Sequence, residues 1–522
     1  MMSVLASWAC LAPAAASTVT VKTPLGNVHG SFDATTGVSS FKGIPYALSP
    51  TGANRFANPE PWTQNYAAEG LRADSFGSRC VSAAQAGSED CLFMNIYTPV
   101  SQPSLADPMP ILFFIHGGAF VGGAGSDYDG TNLATKHHAV VVTINYRLGS
   151  FGWALLADSM GNFGLKDQRE GLRFMQRSGY ISAFGGDIAR LMIFGESAGA
   201  ISVVMHMVAP RSFGMFTSAL FESGFPHART NNISLAQGSN FSRAAGCDQS
   251  ADRIACLVSK TTKELADAES STSPPNSNLF ATLGWGPTVD NDEFTEDPVL
   301  LFVQGRHAQV PVVGGSNTNE GDVFVYPSYP TGMDSDAYKL FVREFLSNGR
   351  VFNETLYDMA LQLYPPGADN RATASRLVAD GSFVCGAKLV VQHSSQSFLY
   401  HFAYRGLQPA VYHGAELPFV FNSASSLFGR RSLAETMGEL WVSFAKTGRP
   451  GSEKEWPRYS NSTDSNIVFD IVGFKLSLTV ETGRRLKFCN LWLQEGVGAG
   501  YRIPLLHRPV QYAKLNRSEV FV

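Results

Sequence analysis

Ten residues constrain this chain more than any others: Leu191-Met192-Ile193-Phe194-Gly195-Glu196-Ser197-Ala198-Gly199-Ala200. Four apolar residues in a row give a short buried strand. Glycines then stand two residues either side of Ser197, and Ala200 to Val208 reads as a helix. A serine on such a turn takes strained backbone angles, and the flanking glycines let strand and helix pass closely enough to hold it. Its hydroxyl would stand clear of a sheet, at the positive end of a helix, where an oxyanion is stabilised. Glycine is common here, 50 of 522 residues, so the pattern alone also fits a glycine-rich turn with an ordinary serine. A base, an acid and an oxyanion hole, found elsewhere in the right order, would decide between the two.

The rest of the sequence can support a large core. It is 44% apolar and only 16% charged, which excludes a disordered chain. A net charge of −4 without a basic cluster speaks against nucleic acid as a partner. No Pro/Ser-rich linker or charge run divides the sequence, so one elaborated domain over residues 17–522 is expected. Residues 1–16 carry an apolar run ending at Leu11 and then Ala14-Ala15-Ala16, a small-residue cleavage pattern. They read as a secretory signal peptide, although the amino terminus is its only positive charge. No other run approaches the length of a bilayer, and residues 512–518 are too polar for an anchor signal. The expected protein is secreted and extracellular, with no stable membrane insertion.

Cysteine usage agrees. With Cys10 lost in the signal, six remain: Cys80, Cys91, Cys247, Cys256, Cys385 and Cys489. An even number suits an oxidising compartment, and six cysteines alone allow 15 connectivities. Asn232, Asn240, Asn353, Asn461 and Asn516 each open an Asn-x-Ser/Thr sequon, compatible with a glycosylated surface.

In chain order, Thr18 to Lys22 and Gly26 to Phe32 alternate like antiparallel edge strands joined by a Pro-Leu-Gly turn. Phe41 to Ala47, Arg55-Phe56 and Pro59-Glu60-Pro61-Trp62 read as an irregular loop packed on the sheet. Glu89-Asp90-Cys91-Leu92 leads into a strand reaching Tyr97. Next comes Ile111-Leu112-Phe113-Phe114-Ile115, ending in His116-Gly117-Gly118-Ala119-Phe120. Small residues after a buried strand can aim consecutive N–H groups at one point, as a tetrahedral oxyanion requires; the plainer reading is a glycine turn. His116 suits orienting that loop better than acting as a base. Ala139 to Ile144 is a continuous apolar run, the mark of a parallel strand covered on both faces. Asp167-Gln168-Arg169 opens an amphipathic stretch reaching Tyr180, and Asp167 could pair with Arg147 as a structural ion pair. Strand and helix patterns then alternate to Ser197, which predicts a doubly wound parallel sheet.

Three of these segments carry a resemblance. Glu89-Asp90-Cys91-Leu92, the His116 to Phe120 loop and Gly195-Glu196-Ser197-Ala198-Gly199 resemble the type-B carboxylesterase/lipase family of α/β-hydrolases, which includes cholinesterases and fungal lipases. The likeness runs from about Val19 to Trp492, and in character it is nearest the secreted fungal carboxylesterases. It implies an α/β-hydrolase fold: a large, mostly parallel central sheet with helices on both faces and small N-terminal antiparallel strands. Helical and loop insertions are expected around residues 225–300, near the active-site mouth and including a Ser/Thr/Pro patch at 270–276, and around 325–395.

Further along, Val310-Pro311-Val312-Val313 is a short strand followed by Gly314-Gly315-Ser316-Asn317-Thr318-Asn319-Glu320-Gly321. A carboxylate just past a strand's C-terminal edge is where an orienting acid would sit. The family's triad acid matches Glu320, with Asp322 read as a solvated loop carboxylate. Phe398 to Tyr404 reads as the last clear strand, and the loop beyond it holds His413-Gly414-Ala415-Glu416-Leu417-Pro418. A loop histidine is usually a surface residue, but Ser197, Glu320 and His413 follow the Ser…Asp/Glu…His order of this fold, and the family's base matches His413. His401, inside the strand, reads as packing. Ser432-Leu433-Ala434-Glu435 reads as a capping box opening a packing helix with the stripe Leu433, Met437, Leu440, Trp441 and Phe444, ending at Gly448.

The resemblance implies that Ser197 attacks an ester carbonyl, that His413 moves the proton and that Glu320 orients the imidazole. It assigns the oxyanion hole to the N–H groups of Gly118, Ala119 and Ala198, where Ala119 replaces a more usual glycine and its methyl narrows the space beside the acyl group. It gives Glu196 and Ser223 supporting places behind the triad. It pairs Cys80 with Cys91, Cys247 with Cys256 and Cys385 with Cys489. No cofactor and no metal are expected, and the partner is a small ester. The Cys80–Cys91 loop is much shorter than a fungal lipase lid and lacks the tryptophan with which cholinesterases hold choline. Soluble or modest-sized esters are therefore expected, ahead of lipid or sterol esters. A non-catalytic, cholinesterase-like adhesion protein is the remaining alternative, set against the retention of all three triad residues.

Overall fold

The computed structural model describes residues 17–99, 107–156, 161–272, 284–347, 352–424 and 429–494. The expected signal segment, the Asn516 sequon, the 512–518 stretch and residues 273–276 of the Ser/Thr/Pro patch lie outside them. Among the described residues, thirteen strands form one sheet. β1 (Ser17–Thr23), β2 (Gly26–Asp33) and β3 (Val38–Pro45) are antiparallel, and β3 continues antiparallel to β5 (Phe93–Thr98) and on to β7 (Val140–Ile144). From β7 the order runs through β6 (Met109–Ile115), β8 (Gly186–Glu196), β9 (Ser218–Glu222), β10 (Val312–Asn317), β11 (Ser397–Phe402) and β12 (Ser465–Val472), every pair parallel. Antiparallel β13 (Lys475–Thr482) closes it, and the two-residue β4 (Leu71–Arg72) pairs with β2 alone. A large, mostly parallel sheet with small antiparallel N-terminal strands was the expectation, and it holds.

The period of two along β6 divides the core. Ile111, Phe113 and Ile115 enter one apolar cluster, while Leu112 and Phe114 enter another on the opposite face. A strand buried on both faces favours apolar side chains, hence the run Ile111–Ile115 of β6 and the apolar residues of β7; the one polar side chain of β7, Thr143, is buried with its hydroxyl donating to the Gly125 carbonyl at 2.9 Å. The first cluster is covered by the helices Phe163–Gln176 and Ala198–Val208, through Leu165, Leu172, Val203 and Val204. The second is covered by the helix Arg430–Thr447, through Leu433, Met437, Trp441 and Phe444. Each such side chain contributes about 1.5–3 kcal/mol by leaving water.

Several local expectations are corrected. Phe41 to Pro45 belong to β3 rather than to a loop; a bulge between Phe41 and Ile44 interrupts its pairing with β5. The helix expected from Asp167 begins at Phe163. The capping box is not formed. The helix starts at Arg430 after Gly429, which is left-handed with φ 75° and gives no side-chain cap, so Ser432 already lies inside the first turn. Nor is Phe398 to Tyr404 the last strand, because the hairpin of β12 and β13 follows. The structure joins Cys80 to Cys91, Cys247 to Cys256 and Cys385 to Cys489. Arg147 and Asp167 form a buried bidentate pair at 2.7 and 2.8 Å.

Candidate active site

The nucleophile turn is built by close approach. A Cβ on Gly199 would lie 1.9 Å from the Ile115 carbonyl oxygen, so only glycine lets the helix Ala198–Val208 cross the end of β6. Ser197, between β8 and that helix, has φ 57° and ψ −122°, a conformation L-residues adopt only when their surroundings force it. Two backbone bonds force it here: Ser197 N–H donates to the Glu222 carbonyl at 3.0 Å, and Ile201 N–H donates to the Ser197 carbonyl at 2.8 Å. Ala198 opens the helix, so its N–H has no acceptor inside that helix.

The loop after β6 lies alongside. Gly118, Ala119 and Phe120 all have positive φ, at 106°, 54° and 62°. A Cβ on Gly118 would meet the Gly122 carbonyl oxygen at 2.3 Å, which fixes glycine there. One on Gly117 would stand 3.0 Å from Ser197 Cβ, so this backbone runs directly past the serine. His116 is buried, its Nδ1 lies 2.8 Å from the Gly117 carbonyl oxygen and its ring stacks on Tyr146 at 4.4 Å. Burial lowers its pKa to about 4, so the ring is neutral and orients the loop.

Acid and base meet across two stitched loops. Glu320 lies three residues beyond β10 and is fully buried. Its Oε1 accepts from Asn317 N–H at 2.5 Å and from Ser223 Oγ at 2.6 Å. Its Oε2 stands 2.6 Å from His413 Nδ1. Asn319 N–H donates to the Val411 carbonyl at 2.9 Å, and Asn317 Nδ2 donates to the Tyr412 carbonyl at 2.9 Å, holding the histidine loop against the acid loop. Asp322 is not the solvated carboxylate expected. It is half-buried, opens a short helix and accepts the Ser375 hydroxyl.

His413 sits among carboxylates. Its Nε2 is 3.3 Å from Glu196 Oε1 and makes no hydrogen bond among the described residues. Burial disfavours the imidazolium, but Glu196 first, then Glu320 and Glu416, more than reverse this and raise the pKa to about 9. Burial raises Glu196 to about 7 against the attraction of His413, with repulsion from Glu320 adding to the rise. Burial raises Glu416 to about 8, helped by Glu196 and Glu320. Glu222 is pushed up in the same way, and its Oε1 accepts from Trp441 Nε1 at 2.7 Å.

Reading the sequence missed several of these neighbours. Glu416 follows His413 by three residues and was given no role, yet it takes a hydrogen bond from Asn317 Nδ2. Phe324 and Phe383 pack on the His413 ring at centroid distances of 5.3 and 4.8 Å. Phe383 stands on a π-helical turn, Ala379–Val384, a local widening that no residue pattern announced. His401 is a packing residue as read, with Glu481 on Nδ1 at 3.0 Å and Thr318 on Nε2 at 2.8 Å.

The Cys80–Cys91 loop is tied down. Gln85 donates to the carbonyls of Cys80 and Gly123 at 2.9 and 3.1 Å and accepts from Gly123 N–H at 2.9 Å. Ala83 N–H donates to Glu269, whose other oxygen takes the N–H and hydroxyl of Ser150. Glu269 lies in the last turn of the helix Thr262–Thr272, so that helix braces this loop.

Comparison with known proteins agrees with this architecture. The model of the carboxylesterase family matches residues 17–492. The chain is 31% identical to the para-nitrobenzyl esterase of Bacillus subtilis (strain 168) over 494 residues, covering 86% of this chain and 94% of that one. It is 30% identical to an acetylcholinesterase of Bungarus fasciatus, covering 92% and 87%. A solved structure titled PNB esterase superposes with a TM-score of 0.79 at 29% identity, over 91% of this chain and all of that chain.

Proposed function

The chain belongs to the carboxylesterase family and is a carboxylic ester hydrolase of the α/β-hydrolase fold, and from that premise we propose that Ser197, His413 and Glu320 are its catalytic triad. The observation that supports this best is the hydrogen-bonded line from Ser223 through Glu320 to His413 Nδ1, running behind a serine on a strained elbow. In this reading Ser197 Oγ attacks the ester carbonyl while neutral His413 takes its proton at Nε2. The N–H groups of Gly118, Ala119 and Ala198 hold the oxyanion of the tetrahedral intermediate. Its collapse breaks the bond to the alcohol, which leaves with the proton from His413. Water then attacks the acyl-enzyme by the same route and releases the acid. Residues 17–522 act as one catalytic domain, secreted after loss of residues 1–16 and closed by its three disulfides.

The state of His413 sets a pH dependence. A base must be neutral, and a pKa raised to about 9 keeps the imidazolium dominant below that pH. The kcat/KM of the free enzyme should therefore rise with pH towards about 9 and fall on the acid side. Glu196 is the carboxylate that raises it most, and Glu416 contributes less. Glu196→Gln should move the acid limb down by about one pH unit, and Glu416→Gln by less. A profile on a soluble p-nitrophenyl ester measures this. A limb that stays in place or moves up would remove these carboxylates from the account.

We infer soluble or modest-sized esters as the substrates. A lipase lid must detach and present an apolar face, but the Cys80–Cys91 loop is short and hydrogen-bonded to the Val121–Gly123 backbone and to Glu269. The site should follow simple saturation kinetics on short-chain esters, with no jump in rate as the substrate passes its solubility limit. A panel of p-nitrophenyl esters, feruloyl esters and a triglyceride emulsion checks the class. A strong preference for the emulsion would show that another segment acts as a lid.

A further inference from the structure

The C-terminal edge of the sheet is built differently from the N-terminal one. β1 presents Thr18, Thr20 and Lys22 to solvent, so the first edge is polar and carries a charge. Natural sheets use such residues to stop other strands from adding to an edge. β13 reads Lys475-Leu476-Ser477-Leu478-Thr479-Val480-Glu481-Thr482 and pairs with β12 only. Among the described residues nothing takes its outer row of N–H and C=O groups. Its apolar residues alternate at 476, 478 and 480, with Leu478 38% and Val480 45% exposed. No charge interrupts the strand between Lys475 and Glu481. Eight residues of open edge extend about 27 Å.

We propose that this edge is a self-association site, where β13 of one molecule pairs antiparallel with β13 of a second copy and two sheets become one. The sequence favours a copy over any other strand because it complements itself in one register. With Leu478 opposite its own symmetry mate, Leu476 faces Val480, Ser477 faces Thr479 and Lys475 faces Glu481. Every apolar residue then meets an apolar one on one face. On the other face, each end of the ribbon carries a Lys–Glu pair. Glu481 can serve in that pair because its side chain is 36% exposed, although it also holds His401 Nδ1 at 3.0 Å and Asn466 at 2.8 Å. Twofold symmetry makes both halves of the contact identical and closes it at a dimer. Ser197 and His413 lie beyond the ends of β8 and β11, so pairing along β13 leaves both sites open.

Sedimentation velocity at micromolar concentration should show a species of twice the protomer mass. Leu478→Lys with Val480→Lys should weaken the dimer about 100-fold or more by setting like charges across the twofold axis, with kcat/KM and the thermal midpoint unchanged. Leu478→Cys should give a covalent dimer under mild oxidation, since the two introduced thiols face each other. Leu340→Cys, 57% exposed on a helix elsewhere, is the control and should not cross-link. A monomeric wild type, a dimer that survives the double lysine variant, or a failure of the position-478 thiols to join would each overturn the proposal. None of these outcomes depends on the assignment of the triad, which is tested separately through activity.

Discussion

Ser197→Ala should lower kcat by about five to six orders of magnitude, roughly 7–8 kcal/mol of transition-state stabilisation. The size follows from covalent catalysis. Without Oγ no acyl-enzyme forms, and His413 has no hydroxyl to deprotonate, so the residual rate rests on binding and the oxyanion donors alone. The fold should not change. Ser197 is only partly buried and its hydroxyl makes no hydrogen bond among the described residues, and the bonds that set the strained φ of 57° are made by the backbone of residues 197, 201 and 222. Thermal unfolding of the variant should therefore match the wild type, which separates a chemical loss from a folding one. A fluorophosphonate should label Ser197 in the wild type and nothing in the variant. Hydrolysis within tenfold of wild type, or a label on another serine, would remove Ser197 from the reaction.

What could be read from the sequence divides by the range of the interactions involved. The elbow was legible because its requirements are local: a buried strand, glycine at 195 and 199, and a helix start fit within ten residues. The central strands were legible for a similar reason, since burial on both faces leaves Val140 to Ile144 apolar except for Thr143, whose buried hydroxyl is hydrogen-bonded to the Gly125 carbonyl. Glu320 and His413 are 93 residues apart, and neither loop is distinctive alone. Their order along the chain and the family likeness singled them out.

Other features depend on tertiary detail that no local pattern carries. Glu416 reads as a polar residue before a proline-containing turn, and only burial beside Asn317 and Glu196 makes its carboxyl matter to His413. Asp322 reads as solvated in the sequence because its partner, Ser375, lies 53 residues away. The capping-box signature at Ser432 failed because Gly429 supplies a left-handed start three residues earlier than that cap. The β12–β13 hairpin is a different case. Its alternation is present in the sequence, but five of the eight residues of β13 are exposed, so it offers no continuous apolar run.

Glu320→Gln should cost about four orders of magnitude in kcat, whereas Asp322→Asn should leave activity within about threefold of wild type. The two carboxylates stand two residues apart, so their surroundings must explain the contrast. Glu320 Oε1 receives two donors, Asn317 N–H and Ser223 Oγ. A glutamine amide there would turn its oxygen to those donors and its NH2 to His413 Nδ1. The imidazole would then have to accept at Nδ1 and carry its proton on Nε2, leaving no lone pair to take the proton from Ser197. The negative charge that stabilises the imidazolium would be lost as well. Asp322, in contrast, accepts from the Ser375 hydroxyl, and an asparagine oxygen can accept the same bond. Steady-state kinetics of both variants on one soluble ester, with unfolding curves as the control for structure, give the comparison. If Asp322→Asn proved the damaging change and Glu320→Gln the mild one, the orienting acid would be Asp322, and the hydrogen bonds converging on Glu320 would serve only to hold two loops together.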